Sequence, residues 1–359
     1  MDTIIDVDVH HSYDDESELV PYLPKGSYRD RFREYGLPST GVAYGINGGF
    51  QGVRADLRDE TNSEEGPGIA GGTMQEIQTD LLEEHEIDTV ILTGRPVYGM
   101  SSINNIEYAN VLCRAFNDYT IEEWLPADDR FKYAMAINHQ DPSFAAEEID
   151  RVGSHPDIVG VVMPPSSSRP FGNKRYDQIY ELSIKHDLVV MIHTGNLGGV
   201  HGQPPTAAGY PSHYIEHRLT ARHPLYQAHL ASFIFEGTFE KFLDLRVAMI
   251  ECGWSWVPSF LWRMDTEWRA LRTEVPWVER KPSEYIKEHV RWNTQPIEEP
   301  ESIDQLLEII EWMDGDDLLM FASDFPHWDF DNPERTLTEL DPESRRSVFA
   351  ENAREFFNI

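Results

Sequence analysis

Short apolar, β-branched runs alternate with stretches of helical periodicity along the chain. Residues 158–163 read Ile-Val-Gly-Val-Val-Met, and such a continuous apolar run is typical of a strand that is covered on both faces. Alternation of this kind predicts parallel βα units. The predicted strands are residues 4–9, 89–93, 132–137, 158–163, 188–192, 246–250, 290–294 and 318–322.

Helical segments are predicted between these strands and after the last one. They are residues 74–85, 107–124, 145–152, 176–186, 226–240, 257–271, 303–312 and 345–357. Eight strands and eight helices favour a closed (β/α)8 TIM barrel that forms one domain over residues 1–359. The alternative is an open doubly wound sheet, which normally carries a glycine-rich phosphate turn after its first strand. Here the first strand ends instead in Asp8-Val9-His10-His11.

Two insertions interrupt the predicted pattern. The first, residues 12–72, is glycine-rich and follows strand one, where a long irregular segment is typical of a lid. The second, residues 195–223, is a long histidine-bearing loop after strand five. Both leave from the carboxyl ends of strands, the end of the barrel where such enzymes keep their active sites.

The net charge of the chain makes some classes of binding partner unexpected. Asp and Glu number 63 against 30 Lys and Arg, a formal net charge of -33, so nucleic acids and anionic membranes are unexpected partners. An acidic surface poor in lysine suggests a halophilic source, and an ordinary acidic cytosolic enzyme is the equal alternative. Two cysteines give no disulfide framework, and the sequence shows no signal peptide or apolar span, so a cytoplasmic protein is expected.

Four side chains of metal-binding type lie at predicted strand ends. Asp8 and His10 are two apart on strand one and therefore face the same side. His193 ends strand five, and Asp324 ends strand eight, which neighbours strand one in a closed barrel. A divalent cation would offset the cost of burying two carboxylates together. One divalent metal ion is thus predicted, with zinc first and manganese, magnesium or iron as alternatives.

The order of these side chains resembles the amidohydrolase superfamily. More narrowly, it is similar to the amidohydrolase-related group that includes aminocarboxymuconate semialdehyde decarboxylase and γ-resorcylate decarboxylase. The resemblance extends from residues 6–10 through 193–195 and 323–327 to 351–357. It implies that Asp8 and His10 are the paired ligands of strand one, that His193 is the ligand of strand five, and that Asp324 is the strand-eight aspartate.

The sequence departs from that group in two places. The pair in strand one is Asp-x-His, where the group commonly has His-x-His or Glu-x-His. After strand six the decarboxylases carry a histidine, whereas this chain has Glu251. A buried glutamate can serve as a general base, so Glu251 is a candidate catalytic residue beside Asp324.

These observations order the candidate reactions. The leading prediction is a metal-dependent hydrolase that attacks a small carboxylated or cyclic substrate, an amide or a lactone, with metal-activated water. The alternative is a metal-dependent nonoxidative decarboxylase of an aromatic or unsaturated acid. A non-catalytic binding barrel is the second alternative. The expected partner is a small molecule, and a homo-oligomer is compatible with the sequence.

Predicted substrate contacts come from loops on the carboxyl side of the barrel. Arginines there can bind a carboxylate, and tryptophans can wall an aromatic pocket, although solvated arginines and structural tryptophans are equally ordinary. The candidates are Arg54, Arg95, Arg169, Trp254 and Trp328. His327, three residues beyond Asp324, is expected to orient a metal ligand through a hydrogen bond.

Overall fold

The computed structural model describes residues 3–37, 72–94, 96–100, 103–195, 206–327 and 329–359. Its sheet has eight parallel strands in the order β1 to β8, each paired with the next along the chain. The strands are β1 Ile5–Val9, β2 Thr89–Leu92, β3 Phe131–Ala136, β4 Ile158–Met163, β5 Val189–His193, β6 Val247–Ile250, β7 Val290–Asn293 and β8 Leu319–Met320.

Hydrogen bonds between the first and last strands close the ring. The Val7 N–H donates to the Phe321 carbonyl at 3.0 Å, and the Asp324 N–H donates to the Asp8 carbonyl at 3.2 Å. Val9 and Phe325 form a parallel bridge one step further on. The predicted (β/α)8 barrel is therefore confirmed, and the carboxyl ends of β1 and β8 are adjacent.

Helices surround the strands, and their side chains pack on the buried strand residues to form the core. Several begin at side-chain caps: Asn105 accepts a hydrogen bond from the Tyr108 N–H, and Asp141 accepts one from the Phe144 N–H. The helices are Glu16–Tyr22, Ser27–Tyr35, Met74–Glu76, Ile77–Glu83, Val97–Met100, Ile106–Tyr119, Thr120–Trp124, Pro142–Val152, Lys174–Tyr176, Asp177–Lys185, Tyr214–Phe235, Thr238–Lys241, Val257–Leu271, Pro282–His289, Ile303–Trp312, Gly315–Leu318, Pro342–Arg346, Ser347–Glu351 and Asn352–Phe357.

The structure differs from the sequence prediction in several places. The start of the first insertion, which was predicted to be irregular, forms the helices Glu16–Tyr22 and Ser27–Tyr35. The helix after β5 begins at Tyr214 rather than at residue 226, so the end of the second predicted insertion is helical. Pro224 lies inside this helix, and the usual effect of proline on the preceding residue favoured a later start. The helix Pro282–His289 was not predicted. Of the first insertion, residues 38–71 lie outside the described part of the chain.

A membrane-spanning helix is not found among the described residues, because none of their helices is both long and apolar enough.

Candidate metal centre

The four predicted metal ligands converge at the carboxyl end of the barrel. All four side chains are buried, with exposed fractions of 1% or less. Ligand atoms of Asp8, His10 and His193 lie within 4.8 Å of one another. A second group, whose ligand atoms also lie within 4.8 Å of one another, consists of His10, Asp324, Glu251 and His327. His10 is common to both groups, so the two make one continuous cluster.

Asp8 faces His193 across the mouth of the barrel. The His193 Nε2 atom lies 3.0 Å from each carboxylate oxygen of Asp8. The Thr93 hydroxyl, just beyond the end of β2, donates to Asp8 Oδ1 at 2.8 Å. Burial lowers the pKa of His193, but the Asp8 carboxylate opposes this effect and leaves the pKa above its ordinary value. The electrostatic field at this position therefore favours a positive charge.

His10 joins Asp8 to Asp324. Its Nε2 atom lies 2.7 Å from Asp324 Oδ1 and 3.9 Å from Asp8 Oδ1. The Nδ1 atom of His327 lies 2.7 Å from the same Asp324 oxygen, and its ring is 4.3 Å from the ring of His10. His327 thus contacts a proposed ligand, at the position expected for a residue that orients Asp324.

Hydrogen bonds assign the proton of the His193 imidazole, and those of His10 are compatible with the same tautomer. The Nδ1 atom of His193 lies 2.5 Å from the Thr194 carbonyl, which can only accept, so Nδ1 carries the proton. The Thr93 hydroxyl already donates to Asp8, so His10 protonated at Nδ1 would donate to Thr93 Oγ1, which lies 3.1 Å away. Both Nε2 atoms are then left as lone-pair acceptors when the imidazoles are neutral.

This arrangement fits a divalent cation. Two imidazole lone pairs face carboxylate oxygens, and acceptors held 2.7–3.0 Å apart need a proton or a cation between them. Asp324 Oδ2 is buried and has no hydrogen-bond partner in the described part of the chain, which is costly unless something binds it. Two imidazoles with two carboxylates form a donor set that zinc and manganese both accept. Burial, followed by the nearby carboxylates of Glu251, Asp329 and Asp8, raises the pKa of Asp324 well above its ordinary value, and a bound cation would reverse that effect.

The backbone that presents these ligands is held in place by Asp6. Its Oδ1 atom accepts hydrogen bonds from the Asp8 N–H at 3.1 Å and from the Ser323 N–H at 3.0 Å. One buried carboxylate therefore fixes the residue before Asp324 and a ligand of β1 at once. Asp324 itself has a φ of 62°, in the left-handed region, and such strain persists only where neighbouring contacts hold it.

Glu251 follows β6 and borders the cluster. Its Oε2 atom is 3.9 Å from His193 Nδ1, and its Oε1 atom accepts a hydrogen bond from Arg222 Nη2 at 2.9 Å. Asn293 at the end of β7 accepts a hydrogen bond from the Glu251 N–H at 2.9 Å. Burial raises the pKa of Glu251, and the charges of Arg222 and His193 oppose that rise without cancelling it.

Two of the predicted substrate contacts, Trp254 and Arg169, are among the described residues, and both make contacts elsewhere. Trp254 is buried and donates from Nε1 to the Thr294 carbonyl at 3.0 Å, which is a packing role between β6 and β7. Arg169 is exposed, and its backbone carbonyl accepts the Tyr176 hydroxyl at 3.2 Å. Arg54, Arg95 and Trp328 lie outside the described residues.

Three site residues were missed from the sequence. Thr93 was treated only as the end of a strand, although it contacts Asp8 and His10. The Tyr98 hydroxyl lies 2.9 Å from His10 Nδ1 and 3.2 Å from His193 Nε2, and its ring stacks on His193. Arg222 was placed within a loop. Tyr98 and Thr93 both follow β2 on the carboxyl side of the barrel, and that position was the available signal.

Comparisons with known proteins agree with the fold. The family model described as "Amidohydrolase" (Amidohydro_2) matches residues 67–359. A γ-resorcylate decarboxylase from a Polaromonas species is 24% identical over 300 residues, which are 80% of this chain and 88% of that protein. Three further curated relatives carry the same name.

Solved structures share the architecture. A dihydroxybenzoic acid decarboxylase from Polaromonas, with bound manganese and the inhibitor 2-nitroresorcinol, superimposes with a TM-score of 0.66 at 19% identity, covering 100% of this chain and 97% of that one. An amidohydrolase from Mycobacterium avium subsp. paratuberculosis superimposes with a TM-score of 0.75 at 19% identity over 99% of each chain. At these identities the structural matches show the fold.

The relatives correct one prediction from the sequence. Hydrolysis was ranked first because Glu251 stands where the decarboxylases have a histidine. The curated relatives that match most of the chain are decarboxylases by name, so that ranking was wrong. The substitution after β6 changes a neighbour of the centre and leaves the four ligand-type side chains in place.

Proposed function

This chain belongs to the amidohydrolase family, and on that premise we propose that it is a metal-dependent nonoxidative decarboxylase of an aromatic carboxylic acid. The observation that carries the proposal is the buried cluster of Asp8, His10, His193 and Asp324 at the mouth of the barrel. Relatives named as γ-resorcylate decarboxylases, matching 70–80% of the chain, point to the reaction.

Asp8, His10, His193 and Asp324 are the residues that would hold the cation. When bound there, it supplies positive charge that neutralises the ligand carboxylates and attracts the carboxylate and phenolic oxygens of a substrate. Manganese is the first ion to test, because a structural neighbour binds it, although the sequence ranked zinc first. Both ions remain compatible with the donor set.

Decarboxylation needs an acid beside the substrate. The bond between the ring carbon and the carboxyl carbon breaks, carbon dioxide leaves, and the electron pair of that bond stays on the ring carbon and takes a proton. Asp324 and Glu251 are the candidate donors, since both carboxyl groups are buried at the cluster where the substrate would bind. Solvent returns the proton after the product leaves, so no other reactant is needed.

The test is release of carbon dioxide from hydroxybenzoates. We expect purified protein reconstituted with Mn²⁺ to convert 2,6-dihydroxybenzoate, or a related hydroxybenzoate, to the corresponding phenol with one carbon dioxide per turnover. Chromatography of the phenol and isotope-labelled carbon dioxide would measure both products. Protein that binds Mn²⁺ but releases carbon dioxide from none of a panel of hydroxylated benzoates would refute the proposal.

A further inference from the structure

Arg222 reaches the metal centre from outside the barrel strands. It lies on the helix Tyr214–Phe235, and its Nη2 atom donates to Glu251 Oε1 at 2.9 Å. The side chain is 11% exposed, so the guanidinium is largely desolvated. Glu251 in turn lies within 4.8 Å of ligand atoms of His10 and Asp324. One carboxylate therefore separates Arg222 from the proposed metal ligands.

One hydrogen-bond donor of this guanidinium is unused. The Arg222 Nε atom is buried and has no hydrogen-bond partner among the described residues. A buried donor without a partner is unfavourable, and it gains free energy when a ligand supplies an acceptor. Since Glu251 holds one end of the guanidinium, the orientation of the remaining N–H groups is fixed before a ligand arrives.

When all three of its carboxyl groups are ionised, the centre also favours a further positive charge. In their ionised forms Asp8, Asp324 and Glu251 carry three negative charges, and a divalent metal ion supplies two positive ones. A substrate carboxylate would then approach a centre that is negative overall, which opposes binding. The permanent positive charge of Arg222 makes the centre neutral and removes that opposition.

From these observations we infer that Arg222 binds the anionic group of the substrate, which is the carboxylate of a monoanionic aromatic acid. Glu251 holds the guanidinium in place for this contact, which gives a reason for a glutamate after β6. The inference rests on the proposed function for its substrate class. A guanidinium suits the contact because its planar N–H groups match a carboxylate, whereas an ammonium group carries the charge without that geometry.

The experiment compares benzoate with its neutral analogue benzamide. Binding of each to the Mn²⁺-loaded protein is measured by calorimetry for the wild type, Arg222→Lys and Arg222→Gln. We expect benzoate affinity to fall about tenfold in Arg222→Lys and about a hundredfold in Arg222→Gln, because charged hydrogen bonds are lost. Benzamide affinity should change little in both variants, because the neutral amide makes no charge-assisted hydrogen bond with Arg222.

Arg218→Lys is the matched control, because Arg218 lies one turn earlier on the same helix and pairs with Asp329 at 3.2 Å. It should leave benzoate affinity unchanged. Thermal unfolding and metal content verify that the variants fold, and Arg222→Gln decides the matter if Arg222→Lys does not fold. Wild-type benzoate affinity in Arg222→Lys, or no benzoate binding by the wild type, would overturn the inference. The proposed function fails separately: the protein would then release no carbon dioxide from hydroxybenzoates, although benzoate would still bind through Arg222 as expected.

Discussion

The imidazole of His10 lies 2.7 Å from the carboxylate of Asp324, although the two residues are 314 positions apart in the sequence. They meet because β8 pairs with β1 and both strands end at the mouth of the barrel. Closure of the barrel is thus what assembles the centre. A proposed ligand from the opposite side of the barrel, His193 on β5, completes the cluster through its contact with Asp8.

Replacing a proposed ligand should abolish turnover without unfolding the protein. We expect Asp324→Asn to lower the decarboxylation rate by roughly 10²–10⁴-fold, since the amide cannot serve as an acid. His193→Ala should do the same by removing an imidazole that faces Asp8. Steady-state rates would be compared with thermal unfolding curves, which should remain cooperative. Near-normal activity in either variant would remove that residue from its assigned role.

Tyr98→Phe tests the hydroxyl that joins the two imidazoles. Its oxygen lies within 3.2 Å of both His10 Nδ1 and His193 Nε2, so its loss leaves both rings less firmly oriented. We expect affinity for Mn²⁺ to fall about tenfold, as for other residues that orient metal ligands. Titration against a competing chelator would measure this.

Tyr133→Phe is the control for Tyr98→Phe. It removes a tyrosine hydroxyl that donates to Asn117 at 2.8 Å, inside the barrel wall. It should lower stability without changing metal affinity. Equal metal affinity in Tyr98→Phe and the wild type would show that the hydroxyl has no part in the centre.

The sequence predicted the barrel and the convergence of the metal-type side chains at its strand ends well. Each strand carries a local signal in its own run of apolar residues, and the barrel topology then brings the strand ends together. Residues 158–163 form β4 with the predicted bounds, because a short, unbroken run rich in β-branched residues is typical of a strand covered on both faces. Arg222 could not be found in this way. Its role comes from a helix that begins before Pro224, and from a contact with Glu251 across two elements. Pair contacts of that kind have no periodic signal in the sequence.

The stability of the fold at low pH should depend on Glu148, which lies outside the candidate metal centre. Burial alone raises its pKa, but hydrogen bonds from Arg151, Asn117 and Arg114 hold the pKa below its ordinary value. A carboxyl group with a lowered pKa stabilises the fold above its unfolded pKa. That contribution is lost as the pH falls through its folded pKa.

Glu148→Gln therefore should unfold about 2 kcal/mol more easily at pH 7, because charged hydrogen bonds become neutral ones. The difference from the wild type should shrink as the pH falls below about 4, near the ordinary pKa of glutamate. Urea unfolding at several pH values would measure both effects. Glu147→Gln, an exposed neighbour on the same helix, is the control and should change stability little. A pH-independent difference would contradict the explanation.

Removal of the metal should destabilise the fold. The stability that the bound metal adds should depend on the concentration of free Mn²⁺. Two imidazole lone pairs and two carboxylates face one another in the buried cluster, and without a cation protons must take its place. Binding to the folded state alone adds about 2.7 kcal/mol when free Mn²⁺ is 100 times its dissociation constant. The unfolding temperature of chelated protein should therefore rise as Mn²⁺ is added back, and His193→Ala should respond much less. An equal response of both proteins would show that His193 contributes nothing to holding the bound ion, and would contradict its assignment as a ligand.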